Sequence, residues 1–377
     1  MGPIILLDKS TFQMLSKKEI RFLEKHYSLN IPPVLITEIL GDLNKNYKNS
    51  ESRDRVKEFA QRLDPSSKIN IDAKYLIEDN LMGRTIKMQN VPILPAGKII
   101  EGVDGKKGMF CDEQKEWKYI RKWKNGDFSI EDNNFAEMWR EITRSVNLEP
   151  MVKKYKKIFP MLSNDMQNIE TYKDAKNIAI RLTENPTYQL EILQLMMNIF
   201  RIDNLIQEKV LKRWKIRGIN LLNEFAPYAY YCFLVTLTFF IALSAEIIGT
   251  RSTNLVDLHY IFYLPFCMVF TSADNVQSNF AKIFLKDTQD FIEAINLKAD
   301  INGIIMHWDN MPEHDKKTFA NDYGCYPPEF KYSITNKIWK KHMKPRSKPL
   351  SSEKKEQIGK KILEDIGPFL DAIKKSR

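Results

Sequence analysis

From Phe225 to Gly249 (FAPYAYYCFLVTLTFFIALSAEIIG) the chain holds no Lys or Arg and a single acid, Glu246. A run this apolar has to leave water. By length it could cross a bilayer, and Lys209, Lys212, Arg213, Lys215 and Arg217 just ahead of it would serve as a positive-inside flank. The other solution is a helix apolar on every side at the centre of a large core. Thr236, Thr238, Ser244 and Glu246 suit a protein interior better than lipid. A single span would also put Asp8 and Glu38 on one side of the membrane and Asp257 and Asp274 on the other. Those acids are the strongest functional signal in the chain. The expectation is therefore a buried helix and no membrane partner.

The signal is positional. Ile4-Ile5-Leu6-Leu7 reads as a buried strand and ends in Asp8. Met268-Val269-Phe270 reads as another and runs through Thr271-Ser272-Ala273 into Asp274. Glu38 lies in PVLITEIL and Asp257 in a helical LVDLHY. In open α/β sheets, ligands bind beyond the carboxyl ends of the strands. Carboxylates clustered without Cys or His select a hard cation, Mg²⁺ or Mn²⁺. The usual work of such a cluster is to activate water and steady a phosphate. Lys9 and Ser272 are candidate phosphate contacts, with a structural role as the weightier reading of each. Asp42, four residues after Glu38, shares its face if the stretch is helical. It reads as an outer acid or, with more weight, as a solvated helix residue. Any one of these acids alone says little, because an Asp at a strand end often just caps the next helix.

The charge balance, 58 basic against 48 acidic residues for a net +10, suits a polyanionic partner. Much of it lies in the tail, where residues 340–377 hold twelve Lys and Arg against five Asp and Glu. A solvated tail is an equal reading of that excess. At 377 residues and 43% hydrophobic content, the chain can build one large or two smaller cores. Cys111, Cys232, Cys267 and Cys325 form no CxxC pair, so neither a zinc knuckle nor a disulfide framework is indicated. The first residues lack a signal-peptide pattern, so a reducing cytoplasm is the expected compartment.

Residues 1–45 read as strand, helix, short strand, helix, with a capping box at Ser16-Lys17-Lys18-Glu19 and a short apolar run, Val34–Ile36, after Pro32-Pro33. Residues 46–83 look helical, broken at Pro65-Ser66-Ser67. Residues 84–110 are rich in Pro and Gly, with Asp104-Gly105 as a hairpin turn. Residues 113–217 are mostly helical. Trp117, Trp123, Trp139 and Trp214 recur there among basic residues, as in single-strand binding or, for most of them, as half-buried helix anchors. A helix is expected through Phe280–Asn296, a linker at KPRSKPLSS, and a terminal helix with Ile362, Ile366, Phe369 and Ile373 on one face.

In order and spacing, IILLDKSTFQMLS, IPPVLITEILGDL, the apolar run and VDLHYIFYLPFCMVFTSADN resemble the PIN-like nuclease superfamily, in particular large bacterial members. The family pattern is an Asp ending the first strand, a Glu on the second helix, an Asp opening a later helix and an Asp after the following strand. Asp8, Glu38, Asp257 and Asp274 fill those places. The resemblance implies a Rossmann-like core with a central parallel sheet, formed by residues 1–45 and 219–300. A large, mostly helical insertion at 46–218 would interrupt it, and a basic helical extension at 301–377 would follow. It implies metal-dependent phosphodiester cleavage, usually of RNA, with Asp8, Glu38, Asp257 and Asp274 as catalytic and metal-binding residues. The chain departs from the pattern in the size of its insertion and at Thr236, where relatives often carry an acid.

The expected function is thus a nuclease acting on RNA ahead of DNA, as a toxin or antiviral defence effector. A regulatory protein partner or a homo-oligomer is compatible with it. The competing reading is a non-catalytic nucleic-acid- or protein-binding module with the same fold. A third, a membrane-anchored protein, would use the apolar run.

Overall fold

Four consecutive apolar residues build β1 (Ile4–Leu7). Strands that read this way are buried on both faces, as in parallel sheets. Asp8 then caps α1 (Lys9–Met14), and Ser16 and Glu19 form the expected capping box of α2 (Lys17–His26). The second strand is β2 (Ser28–Ile31), ahead of Pro32-Pro33; Val34–Ile36 instead opens α3 (Pro33–Gly41). Pro33 sits at the first helical position, where its missing N–H is not needed. Next come α4 (Asn49–Arg62), β3 (Lys68–Ile69) and α5 (Ala73–Leu81), then a ribbon of β4 (Lys98–Glu101) and β5 (Lys107–Phe110). Helices α6 (Lys115–Asn125), α7 (Ile130–Ser145), α8 (Tyr172–Thr183), α9 (Gln189–Ile199), α10 (Asn204–Arg217) and α11 (Leu222–Phe225) lead to the long α12 (Pro227–Ser244). After α13 (Asn254–Ile261) come β6 (Val269–Ser272), α14 (Asn275–Phe284), β7 (Asp290–Glu293), α15 (Ala294–Asp309), α16 (Glu313–Tyr323), α17 (Ile334–His342) and α18 (Ser352–Lys375). This computed structural model describes residues 2–45, 49–95, 98–101, 104, 106–110, 114–150, 153, 169–218, 221–345 and 350–375. Gly105 of the expected turn, residues 154–168 and residues 346–349 of the expected linker lie outside them.

The fold is α/β. Five parallel strands stand in the order β3-β2-β1-β6-β7, with Ile5 opposite both Leu29 and Val269. The sheet takes its edge strand β3 from within residues 46–218, the stretch expected as an insertion. The helix expected through 280–296 is interrupted. Leu285–Gln289 leaves helical form and β7 pairs with β6, a case of sheet pairing overriding local preference.

Helix α12 is the one among the described residues long and apolar enough to cross a bilayer, and 89% of it is buried inside the fold. It packs against α5, α8, α11 and α13. Its hydroxyls are satisfied within the protein. Thr236 and Thr238 donate to the carbonyls of Cys232 and Leu234 one turn back, and Tyr231 donates to the Ile261 carbonyl. Trp117, Trp123 and Trp214 are buried helix anchors, whereas Trp139 is half-buried. Ile362 and Ile366 of α18 remain exposed.

The start of α12 depends on one side chain. Asn80 Oδ1 accepts from the amides of Tyr228 and Ala229 at 2.8 and 3.1 Å, while its Nδ2 donates to the Arg84 carbonyl. Buried amides at a helix start need such an acceptor. Asn80→Ala is expected to lower unfolding stability in urea by about 1–3 kcal/mol. Wild-type stability in that variant would show that the clamp is dispensable.

Candidate active site

The strand order reverses between β1 and β6: the chain winds outward from β1 to β3 on one side and from β6 to β7 on the other. Such a reversal opens a crevice at the carboxyl ends of the two central strands. Asp8 directly follows β1, and Asp274 stands two residues after β6. Asp8 is fully buried. Its Oδ1 accepts from the Thr11 amide at 2.8 Å, and its Oδ2 accepts from Ser10 Oγ at 2.5 Å and Ser272 Oγ at 2.7 Å. Both hydroxyls also accept from backbone amides just past β6, Ser272 Oγ from Asp274 and Ser10 Oγ from Ala273, each at 2.9 Å. Ser272 therefore joins two of the acids. Asp274 caps α14, accepting from the Gln277 amide at 3.0 Å.

Glu38 on α3 and Asp257 in the first turn of α13 come to the same edge. Tyr260 Oη donates to Glu38 Oε2 at 2.6 Å, and Gln277 Nε2 donates to Asp257 Oδ1 at 3.1 Å. The acids feel one another. Burial pushes the Asp257 carboxyl up to about 7, with Asp274 and Glu38 adding to the rise. Burial likewise raises Glu38, helped by Asp42 and Asp8 and opposed by Lys9 and Tyr260. Asp8 is raised by burial despite the donors around it.

The donor set fits a hard divalent cation by type and charge. It is all oxygen, and carboxylates that raise one another's pKa are relieved by a cation as well as by a proton. Glu38 Oε1, Asp257 Oδ2 and Asp274 Oδ2 accept no hydrogen bond from the described residues, and Gln277 Oε1 among them is buried without a donor. The set is not a finished shell: among the described residues, no three His, Cys, Asp or Glu side chains converge closely enough to hold one ion as they stand.

Asp42 sits differently from expectation, and Lys9 beside it is taken up by the fold. Lys9 Nζ donates to the Glu38 carbonyl and to Asp42 Oδ1, both at 2.9 Å, so it braces the site instead of standing open to a ligand. Asp42 is not a solvated helix residue. It is fully buried at the end of α3, where Lys9, Lys45 and Arg140 converge on its Oδ1. Burial works to raise its pKa, but Lys9 and Lys45 outweigh it and the net shift is downward.

Ser10, Tyr260, Gln277 and Arg140 were missed at the level of sequence. Tyr260 lies three residues after Asp257 on one helix face. Gln277 is the third residue after the helix cap Asp274, a capping-box position. Those two spacings were usable signals. Nothing local marks Arg140. Comparisons with family models, with curated proteins and with solved structures each return no match.

Asp257 gives a pH prediction. Its folded-state pKa of about 7 lies above the ordinary 3.8, so the native state holds the extra proton between those values. Stability then falls as pH rises through that window, and the penalty is complete above it. In EDTA at pH 8, Asp257→Asn is expected to be more stable than wild type by about 1–3 kcal/mol. The advantage should vanish near pH 4. Mn²⁺ at about 100 times its dissociation constant should stabilise wild type by about 2.7 kcal/mol, and Asp257→Asn by less. Parallel melting curves at every pH would remove the repulsion argument.

Proposed function

We propose that this chain is a metal-dependent nuclease of PIN-like fold that hydrolyses phosphodiester bonds, with RNA ahead of DNA as substrate. The observation that carries the reading is the gathering of Asp8, Glu38, Asp257 and Asp274 at the reversal point of a parallel sheet, with raised pKa values on three of them. The acids follow the order of the PIN-like pattern, and the sheet is of the kind that pattern implies. In this reading the protein acts inside the cell as a toxin or antiviral effector.

Asp8, Glu38, Asp257 and Asp274 would hold Mg²⁺ or Mn²⁺. Bound there, the cation supplies charge that offsets the carboxylates, polarises the phosphodiester and makes water more acidic. The protein's part is orientation. Ser10, Thr11 and Ser272 fix both oxygens of Asp8. Tyr260 aims Glu38, and Gln277 ties Asp257 to the helix that Asp274 caps. The free oxygens of Glu38, Asp257 and Asp274 can then accept a hydrogen bond or a proton from an attacking water.

The test is cleavage of labelled single-stranded RNA, beside single-stranded DNA, in Mn²⁺, Mg²⁺ and EDTA. Cutting is expected to require the cation. Asp8→Asn and Asp274→Asn should each slow it by about 100-fold, equivalent to about 2.7 kcal/mol in the barrier. Tyr260→Phe, which removes only an orienting donor, should slow it by about 10-fold. A folded protein that cuts neither polymer in any of these buffers removes the reading.

A further inference from the structure

We propose that the cavity formed by α17 and the segments that flank it binds a nucleoside polyphosphate, with the base against Phe330 and Tyr332 and the phosphates on Lys331, Lys337, Lys340 and Lys344. The cavity shares no lining residue with the carboxylate site, so the proposal goes beyond the nuclease reading and does not rest on it.

Space is the first argument. The described residues that line the cavity all fall within 326–345, and its volume is about 650 Å³. Sites for small ligands have volumes of about 300–1,000 Å³. Charge is the second argument. Lys331, Lys337, Lys340 and Lys344 line the cavity and are exposed, and none of them forms an ion pair with a described acid. Lys341 gives the contrast. It lies on the same helix but outside the lining, and its Nζ is 2.8 Å from Asp290 Oδ1. Helix α17 thus neutralises the lysine outside the cavity and leaves Lys337 and Lys340, three residues apart on one face, without an anion. Glu329 is the acid of the lining among the described residues, and four lysines against it leave a net +3. Like charges around a concave surface repel one another and draw in an anion.

The rings are the third argument. Phe330 and Tyr332 also line the cavity and are 36 and 79% exposed. The fold holds them there. Asn336 Oδ1 accepts from the Phe330 amide at 2.8 Å, and its Nδ2 donates to the Pro328 carbonyl at 3.0 Å. Asp300 on α15 accepts from the Ile334 and Thr335 amides, both at 2.8 Å, and so fixes the start of α17. Tyr332 has φ +65°, a left-handed conformation unfavourable to a bulky side chain. Strain of this kind gathers at ligand sites. Lys331 Nζ stands 4.9 Å from the centre of the Tyr332 ring, so cation and ring converge. A nucleobase covers such a ring whatever its sequence identity, because every base has a π-face. A nucleoside polyphosphate brings a flat base and a row of phosphates in one small molecule. Inorganic polyphosphate would leave the rings idle, an uncharged nucleoside would leave the lysines unpaired, and a flat anionic membrane would leave the cavity unfilled.

The test is calorimetric titration of the full chain in EDTA with ATP, GTP, CTP and UTP in turn. At least one of them is expected to bind without a divalent cation. Inorganic triphosphate and the matching nucleoside should each bind at least about 10-fold more weakly than that nucleotide. Lys337→Gln with Lys340→Gln should weaken the nucleotide by about 10-fold. Tyr332→Gly should also weaken it by about 10-fold, while the fold is kept, because φ +65° suits glycine. Thermal melts check both variants. Lys209→Gln with Lys212→Gln removes two exposed cations from α10 as a control and should bind as the parent does. Binding of none of the four nucleotides, or triphosphate binding as tightly as the best of them, would overturn the proposal. So would parent-like affinity in Lys337→Gln with Lys340→Gln or in Tyr332→Gly, or an equal loss in the control.

Discussion

Asp8 is a buried acid that no ion pair reaches among the described residues. Taking a carboxylate out of water without a cation is unfavourable by several kcal/mol. Three donors limit that penalty, and two of them, the Ser10 and Ser272 hydroxyls, are also the bolts between the ends of β1 and β6. The same atoms thus close the central strand pair and hold the acid at its edge. Helix α14 starts from that junction, and its Gln277 reaches Asp257. A cation drawn to these acids would relieve a strain that the fold itself imposes, so binding energy and folding energy are linked there.

Lys9 divides the region by charge. On one side are carboxylates whose protonation burial and mutual repulsion favour; on the other, Asp42 gathers cations from α1, α4, α7 and the turn after α3. An ionised Asp at a helix C-terminus is poorly placed with respect to the helix dipole, which makes that gathering a necessity of the fold. Residues 46–218 supply β3, Arg55 and Arg140. They are therefore built into the sheet and the border of the site, and removing them would strip cations from Asp42 and leave one edge of β2 unpaired.

What could be read in the sequence was local. Ile4–Leu7 shows itself as a strand because burial on both faces makes it apolar throughout, and Ser16 with Glu19 show themselves as a cap by spacing. The apolar run declares by composition that it leaves water, and its four polar residues and the acids on either side of it in sequence point to a protein interior. The strands that were missed or, for β2, expected without being placed fail on the same criterion. β2 reads Ser-Leu-Asn-Ile, and its buried Asn30 is acceptable only because it donates to the Phe266 carbonyl and accepts from Asn70, contacts 236 and 40 residues away. β3 is two residues long. β7 begins with Asp290, whose partners Lys341 and His342 come from α17. Asp42 was misjudged because its partners Lys9, Arg55 and Arg140 come from separate helices, and no window of sequence holds them together.

The two charged groups also constrain each other. Protonation of Asp257 near neutral pH, or a cation among the acids, lowers the negative field that a polynucleotide would meet at the border. A polynucleotide bound beside the acids would in turn make the crevice more favourable for a divalent cation. Under the proposed readings the two ligands are thermodynamically coupled, and linkage requires the effect to be equal in both directions. Lys9 touches both groups, since it donates to the Glu38 carbonyl and to the Asp42 carboxylate.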